Sequence, residues 1–328
     1  IMQAINILWF KRDLRLHDHE PLQQAVESDL PTLLLYIFEP SLIAHPDSAT
    51  RHWRFVVQAL EDIQKQLEPQ GAEIYSCHDE AQVVFQKISQ RFRIHTVFSH
   101  QETGVRLTFD RDLALAKWFN NKGIRWQESP FSGVIRGLSN RKRWKEYWYN
   151  TMQQPTARVD LKRLQTVTLS DEIFAFFNNR PLPAAFFRKE QGFQEGGETL
   201  AWRYLRSFLE ERGRSYMQNI SKPEASRYHT SRISPYLAWG CLSVRQVYQY
   251  GKQVKNQGGN SRNLAQFLAR LRWRDHFIQK FESECRIEFE NINPAFDHLR
   301  TELHEEKFQA WAEGRTGFPL VDACMRCV

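Results

Sequence analysis

The most informative stretch of this sequence is SRYHTSRISPYLAWGCLS, residues Ser226–Ser243. It places two hydroxyl residues, Thr230 and Ser231, directly before Arg232. Ser234 then precedes a proline, which is typical of a helix start because the hydroxyl caps free amides and proline tolerates the first helical position. Such a terminus attracts anions, since its amides are unpaired and the helix dipole is positive there. The segment therefore predicts either a phosphate or diphosphate site or an ordinary capped helix.

The composition indicates a globular, basic chain that does not cross a membrane. Its 328 residues favour two domains, and a hydrophobic content of 41% is enough for sizeable cores. No apolar run has the length of a membrane span, and the first residues lack the pattern of a signal peptide. The formal net charge of +7 favours a polyanionic partner, although it is also compatible with solubility alone. We expect a monomer.

The five cysteines indicate a reducing compartment, and we expect a cytoplasmic protein. They are scattered and odd in number, unlike the cysteines of a disulfide framework. Cys324 and Cys327 form a C-x-x-C pair, but no second pair accompanies them. We therefore expect neither a metal site nor a redox role for this pair.

The first part of the chain alternates strand and helix patterns. Continuous apolar runs predict buried strands at 5–10, 31–38, 72–77, 95–99 and 125–127. Helical spacings separate them, from about residue 21 and over 50–67, 83–88 and 107–120. This α/β alternation predicts a doubly wound parallel sheet with helices on both faces over residues 1–130. The usual dinucleotide fingerprint, G-x-G-x-x-G after the first strand, is absent from the sequence.

Residues 131–195 form a connector whose distinctive part, 136–150, mixes cations with aromatic residues. Such a mixture can contact phosphates and stack bases, and on this basis we assign Arg143 to DNA contact. The same pattern fits an amphipathic helix, because Trp144 and Trp148 are four residues apart and make one inward stripe. Loop-rich sequence before residue 196 marks a domain boundary.

From residue 196 to 328 the sequence is helical without further strand alternation, and we expect an all-α domain. A helix over 263–281 carries Phe267, Arg270 and Arg274. These three residues recur at three- and four-residue spacings, so they share one face of that helix.

Four separate segments resemble the DNA photolyase and cryptochrome family. They are INILWFKRDLRLHDHEPL (5–22), HTSRISPYLAWGCLS (229–243), LRWRDHF (271–277) and FQAWAEGRTGFPLVDACMR (308–326). Their order and wide separation make the probability of a chance match very small. The resemblance implies an N-terminal antenna-type domain and a C-terminal helical domain that binds FAD, the cofactor that absorbs blue light and transfers single electrons.

The resemblance also implies roles for individual residues. It places FAD against Tyr216, Thr230, Ser231, Arg232, Ile233, Ser234, Phe267, Arg270 and Arg274. It places Trp273 against the damaged base pair, which makes Trp273 and Arg270 the catalytic candidates and, with Arg143, the DNA-binding ones. The implied partner is damaged DNA, whose lesion is flipped out of the duplex into the pocket.

In the family the first domain holds a light-harvesting chromophore, a pterin or a deazaflavin. Glu102 follows the carboxyl end of a predicted strand, where open α/β sheets bind ligands. It either faces such a second chromophore or is a surface carboxylate, and the surface position is our expectation.

Several positions depart from the pattern of dimer-repairing photolyases. Ala269 and Arg270 stand where that pattern has Asn and Glu, and a cation cannot accept the hydrogen bonds of the glutamate. Phe267 replaces a frequent tryptophan and keeps its stacking area without the N–H donor. Ile220 replaces a common arginine that contacts DNA. These changes weaken the case for ordinary dimer repair more than the case for flavin binding.

Three hypotheses for function follow. The first is an FAD-dependent, blue-light-driven enzyme of the photolyase type that repairs pyrimidine dimers by electron transfer from reduced flavin. The second is a cryptochrome-like photoreceptor without repair activity, and the third is a flavin-less relative that binds nucleic acid. The sequence stops at Val328, before further helices that the resemblance implies, so we expect the flavin domain to be incomplete in this sequence.

Overall fold

The computed structural model describes residues 2–178, 180–258, 261–299 and 302–327, with only the backbone of residue 261. The chain forms two compact units, residues 1–283 and 284–328, and each is described by itself. The domain borders predicted after residues 130 and 195 lie inside the first unit and stay a prediction.

The first unit begins with a five-stranded parallel sheet, as predicted, in the order β3-β2-β1-β4-β5. The strands are β1 (Ala4–Phe10), β2 (Thr32–Phe38), β3 (Ile74–His78), β4 (Arg93–His100) and β5 (Arg125–Ser129). The helices between them are α1 (Glu20–Val26), α2 (Pro40–Ile43), α3 (Thr50–Leu67), α4 (Ala81–Ser89) and α5 (Arg106–Asn121). The central strand β1 pairs with β2 on one side and β4 on the other, so both of its edges are covered.

Both faces of the sheet are buried, which explains why its strands are continuous apolar runs. Ile5, Ile7 and Trp9 of β1 lie in a core with α4 and α5. Leu8 and Phe10 lie in the opposite core with α1 and α3. The second core continues without a break into the helical part of the first unit, so the sheet supports the helices directly.

Helices without further strands follow β5 in the described residues, as predicted. They are α6 (Trp144–Gln153), α7 (Asp171–Phe177), α8 (Glu198–Glu210), α9 (Tyr216–Asn219), α10 (Pro223–His229), α11 (Ser234–Ala238), α12 (Val244–Asn256) and α13 (Ser261–Ser283). Helix α8 ends at Glu210, and a short 3-10 turn leads from there to Tyr216. The helix predicted over 263–281 is two residues longer at each end.

A loop after β1 fastens the sheet to the helical part. The Leu14 amide donates to the Trp239 carbonyl at 3.0 Å, and the Arg15 guanidinium donates to the Gly240 carbonyl at 2.9 Å. Gly240 has a φ of +66°, and a Cβ there would lie 2.1 Å from the carbonyl oxygen of Arg12. This close approach of two backbones requires glycine, and it fixes the segment quoted at the outset relative to the sheet.

The connector packs its aromatic residues inward. Trp144 and Trp148 of α6 are 6% and 0% exposed, so they belong to the core and cannot stack bases. Gly133 packs so closely on Trp148 that an added Cβ would lie 2.2 Å from the indole ring. The amphipathic-helix alternative is therefore confirmed for these two tryptophans.

The second unit contains α14 (Glu305–Ala312) and α15 (Pro319–Arg326). Asp322 accepts hydrogen bonds from the amide and hydroxyl of Thr316 and from the Gly317 amide, which closes the turn before α15. Across the described parts of both units, no helix combines the length and apolarity that a bilayer span needs.

Candidate functional site

The segment Thr230–Ser234 differs from the prediction in one respect. The N-cap of α11 is Ile233, and Ser234 is the first helical residue and makes no side-chain cap. The prediction that the Ser234 hydroxyl caps the helix was therefore wrong. Arg232, two residues before Ser234, is the reason, because it adopts a left-handed φ of +56° and turns the chain before the serine.

The carbonyls of this segment are held from one side. Arg212 donates to the carbonyl oxygens of Thr230 at 2.6 Å and Ser231 at 3.4 Å. Gln194 donates to the Arg232 carbonyl at 2.9 Å. No described residue accepts a hydrogen bond from the amides of Ser231, Arg232 or Ile233. A turn with fixed carbonyls and three such amides fits an oxyanion such as a diphosphate.

Arg212 is a residue that the sequence did not single out. Its burial, together with the nearby Arg232 guanidinium, lowers its pKa from the ordinary value. Both arginines remain cations at neutral pH, because an arginine is not deprotonated in proteins. Two positive charges beside the same turn strengthen its attraction for an anion.

An aromatic wall stands next to this turn. Tyr216 and Phe267 are buried and meet edge to face at 6.2 Å, and both rings also contact Phe208. Burial raises the pKa of the Tyr216 phenol, and the nearby Arg270 guanidinium offsets part of this rise. Arg212 lies 5.9 Å from the Phe208 ring and so links the wall to the turn. The structure thus brings the predicted residues Tyr216, Phe267 and Arg270 together.

Helix α13 places Arg274 beside α11. One nitrogen of its guanidinium donates to Oδ1 of Asp275 at 2.9 Å, and another donates to the Leu237 carbonyl at 2.9 Å. Trp273, the preceding residue, is 49% exposed. Arg143 is exposed at the N-cap of α6 and is paired with Glu146, and within the described residues it makes no hydrogen bond or ion pair with the other predicted site residues.

Asp275 is the anchor of this region, although its sequence motif gave it no role. Its side chain is fully buried. Oδ2 accepts hydrogen bonds from the Ser132 hydroxyl at 2.5 Å, the Gly133 amide at 3.2 Å and Nε1 of Trp148 at 2.8 Å. Since Oδ1 holds Arg274, this one carboxylate ties the connector to the predicted flavin residue.

A second site lies at the carboxyl ends of β1, β2 and β4. It is a cavity of about 570 Å³, and its lining includes Trp9, Tyr36, Trp53, Trp239, Arg12, Arg111, Glu39 and Glu102. Nε1 of Trp53 is buried and has no hydrogen-bond partner among the described residues. An unpaired buried donor on the wall of a cavity fits a ligand that brings an acceptor.

Glu102 is not the surface carboxylate that we expected. Its side chain is 6% exposed, and it pairs with Arg111 at 2.7 Å and with Arg12 at 3.5 Å. Burial alone would raise its pKa, but the cations Arg111, Lys11 and Arg12 lower it to about 2. The tertiary fold brings Lys11 and Arg12 from the loop after β1 and Arg111 from α5, which the local sequence around Glu102 does not show.

Asp13, His19 and His100 form a buried cluster with the composition of a metal site. Nδ1 of His19 accepts from the Leu22 amide at 3.1 Å, so the ring proton is on Nε2, which lies 3.0 Å from Asp13. A protonated nitrogen has no lone pair for a metal. The cluster is better described as two imidazoles beside one buried carboxylate. Burial lowers the pKa of His100 to about 3, and the two histidines hold that of Asp13 well below its usual range.

Comparison with known protein families gives two matches. Residues 6–162 match the family model described as DNA photolyase. Residues 267–328 match the model described as FAD binding domain of DNA photolyase. The second match covers α13 from Phe267 onward and so includes Phe267, Arg270, Trp273 and Arg274.

Individual relatives span nearly the whole chain. Cryptochrome DASH of Synechocystis is 26% identical over 98% of this chain, and Cryptochrome-2 of Gallus gallus is 24% identical over 98%. The chain spans 69% and 58% of the lengths of these two relatives.

The fold is shared with solved structures. The Synechocystis cryptochrome has a TM-score of 0.80 at 22% identity and covers 100% of this chain and 71% of its own. A class III photolyase from Agrobacterium tumefaciens has a TM-score of 0.79 at 23% identity, over 99% of this chain and 69% of its own. An archaeal photolyase from Sulfolobus tokodaii, described with two FAD molecules, has a TM-score of 0.74 at 22% identity, over 98% and 70%.

Proposed function

Because this chain belongs to the DNA photolyase and cryptochrome family and carries its FAD-binding domain, we propose that it acts as a photolyase-type enzyme. In this proposal it repairs UV-induced pyrimidine dimers in DNA with blue light, by electron transfer from reduced FAD. FAD would supply the light absorption and the single-electron chemistry, which no side chain provides.

The observation that carries the proposal is the turn at Thr230–Ser234 with its surroundings. The amides of Ser231, Arg232 and Ile233 would hold the diphosphate, since no described residue accepts from them. Arg212 fixes the opposite side of the turn. The residues present therefore fit a diphosphate-containing cofactor.

The remaining predicted residues have positions that suit their proposed roles. Tyr216 and Phe267 would provide the aromatic wall of the flavin pocket. Trp273 has an exposed ring for contact with an unpaired base, and Arg270 would stabilise negative charge on the reduced lesion. Arg143 would add salt-dependent attraction to the DNA backbone.

The proposal is tested first by an absorption spectrum of the purified protein and by FAD binding to Arg274→Ala. Because Arg274 lies against α11 and would face the phosphates, we expect the variant to retain several-fold less FAD per chain after gel filtration. The control is Arg262→Ala, which changes an exposed arginine at the start of the same helix. Equal FAD content in wild type and both variants would show that the phosphate site is misplaced, and a colourless wild type that refuses added FAD would favour the flavin-less relative.

A cryptochrome-like photoreceptor is the second candidate function. It is favoured by Ala269 and Arg270, which replace the amide and carboxylate of the dimer-repair pattern, and by Ile220 in place of a DNA-contacting arginine. A repair assay under blue light, with an oligonucleotide that carries one defined dimer, separates the two. Photoreduction of bound flavin without loss of the dimer would identify the receptor.

We also propose that the cavity lined by Trp53, at the carboxyl ends of β1, β2 and β4, holds a second chromophore, a pterin or a deazaflavin. Its volume of about 570 Å³ and its tryptophan-rich lining suit a planar aromatic ligand. The Sulfolobus tokodaii photolyase is described with two FAD molecules, so a protein with this fold can hold two cofactors. Mass spectrometry of the small molecules released from the protein would identify the ligand, and release of FAD alone would refute this part of the proposal.

A further inference from the structure

His276 lies at the centre of a surface made by α13 and the residues around the start of α6. Its ring contacts Trp144 at 5.8 Å, Trp273 at 5.7 Å and Phe277 at 5.6 Å between centroids. Trp273 and Phe277 are 49% and 60% exposed, and their rings are 5.8 Å apart and inclined by only 34°. Two exposed rings so arranged offer a platform on which unpaired bases can stack.

Cations surround the same imidazole. Arg272 and Lys280 come from α13, and Arg141 comes from the segment before α6. Burial and then these three cations lower the pKa of His276 from its ordinary value. The adjacent carboxylate, Asp275, does not offset them, because its oxygens are turned to Arg274 and to the connector.

We propose that this surface binds the phosphates and unpaired bases of a nucleic acid, and that His276 takes up a proton when it does so. The inference rests on the proposed DNA partner but adds a residue and a linkage that the function itself does not require. Phosphates that neutralise Arg141, Arg272 and Lys280 remove the repulsion that disfavours the protonated form of His276. A group that gains protons on binding makes the complex tighter as the pH falls.

The direction and size of the effect follow from linkage. If the complex raises the pKa of His276 by about one unit, the affinity increases about tenfold from a pH above both pKa values to a pH below both. The probe is a thymine-only single-stranded oligonucleotide, whose bases do not titrate near neutrality. Fluorescence anisotropy at constant salt should therefore give a dissociation constant about tenfold lower at about pH 5.5 than at about pH 8.

His276→Gln should lose most of this gain in affinity at low pH. The matched control is His95→Gln, which changes an exposed histidine on β4 and should keep the full pH dependence. Lys280→Gln should reduce the pH dependence of the affinity. It should also reduce the slope of log affinity against log salt concentration by about one. A histidine NMR titration of the wild type, free and bound, measures the same linkage without any substitution.

Two failures are distinguishable. If the oligonucleotide binds but His276→Gln keeps the pH dependence, or if the NMR pKa of His276 is equal in the free and bound states, the inference is overturned and the DNA partner stands. If no oligonucleotide binds at any pH, the proposed DNA partner fails together with the inference.

Discussion

Replacement of Asp275 by alanine is the most direct test of how the connector and the flavin helix are joined. Among the described residues, the substitution removes the only acceptor for Nε1 of Trp148 and for the Gly133 amide. It also removes the partner of Arg274, and all of these contacts lie at a carboxylate with no solvent exposure.

The magnitude follows from the stranded donors. Each buried donor that loses its acceptor costs about 1–3 kcal/mol, and breaking a buried ion pair by removal of one partner costs about 3–5 kcal/mol. These terms overlap, because water and local relaxation satisfy part of the loss. We therefore expect Asp275→Ala to lower the free energy of unfolding by about 3–5 kcal/mol, a large share of a typical domain stability of about 5–15 kcal/mol.

The assay is urea denaturation of the purified protein, followed by far-UV circular dichroism. Asp275→Asn should lower the free energy of unfolding by less than Asp275→Ala, since the carboxamide oxygen can still accept hydrogen bonds from one side of the cluster. The control is Asp110→Ala, which breaks only an exposed i,i+4 pair with Arg106 and should cost about 0.5 kcal/mol or less. A loss below about 1 kcal/mol for Asp275→Ala would refute the description of this carboxylate as an anchor.

Two further predictions concern the joint between the sheet and the helices. Gly240→Ala should destabilise the protein by more than about 1 kcal/mol in a thermal unfolding experiment, because its Cβ would clash with the Arg12 carbonyl. The control is Gly71→Ala, since Gly71 has a similar positive φ but open space around the position of a Cβ. An equal effect in both variants would show that backbone strain alone, and not the clash, is responsible. The hydrogen bond to Glu198 raises the pKa of His17, so its stabilising contribution is present below an ordinary pKa of about 6.5 and is lost as the pH rises through the higher folded pKa. Stability should therefore fall less between about pH 6 and about pH 8 in His17→Gln than in wild type, and identical pH profiles would contradict this assignment.

The departure at Arg270 has a clearer meaning in three dimensions than in the sequence. Its guanidinium lies near the hydroxyl of Tyr216, a residue that the resemblance places next to the flavin. A cation at this position favours negative charge nearby, whereas the glutamate of the dimer-repair pattern would accept hydrogen bonds. The repair assay thus decides whether this exchange preserves dimer cleavage or belongs to a different use of the same pocket.

What the sequence determined by itself is local and periodic. Alternating strand and helix patterns gave the parallel sheet, because a strand buried on both faces must be apolar throughout. The helix over Thr50–Leu67 was predicted at its observed bounds, since its apolar stripe repeats with the helical period. The resemblance singled out Tyr216, Phe267 and Arg270, and the fold brings these three residues together.

Only the tertiary structure decided which partner each polar group finds. Arg212 reaches the Thr230 carbonyl across eighteen residues, and Asp275 reaches Trp148 across 127. Glu102 is buried rather than exposed because cations from the loop after β1 and from α5 converge on it. Ser234 fails as a cap because the chain has already turned at Arg232. Hydrogen bonds and ion pairs act over about 3–4 Å, so they depend on how distant segments pack, and no pattern along the chain records that distance.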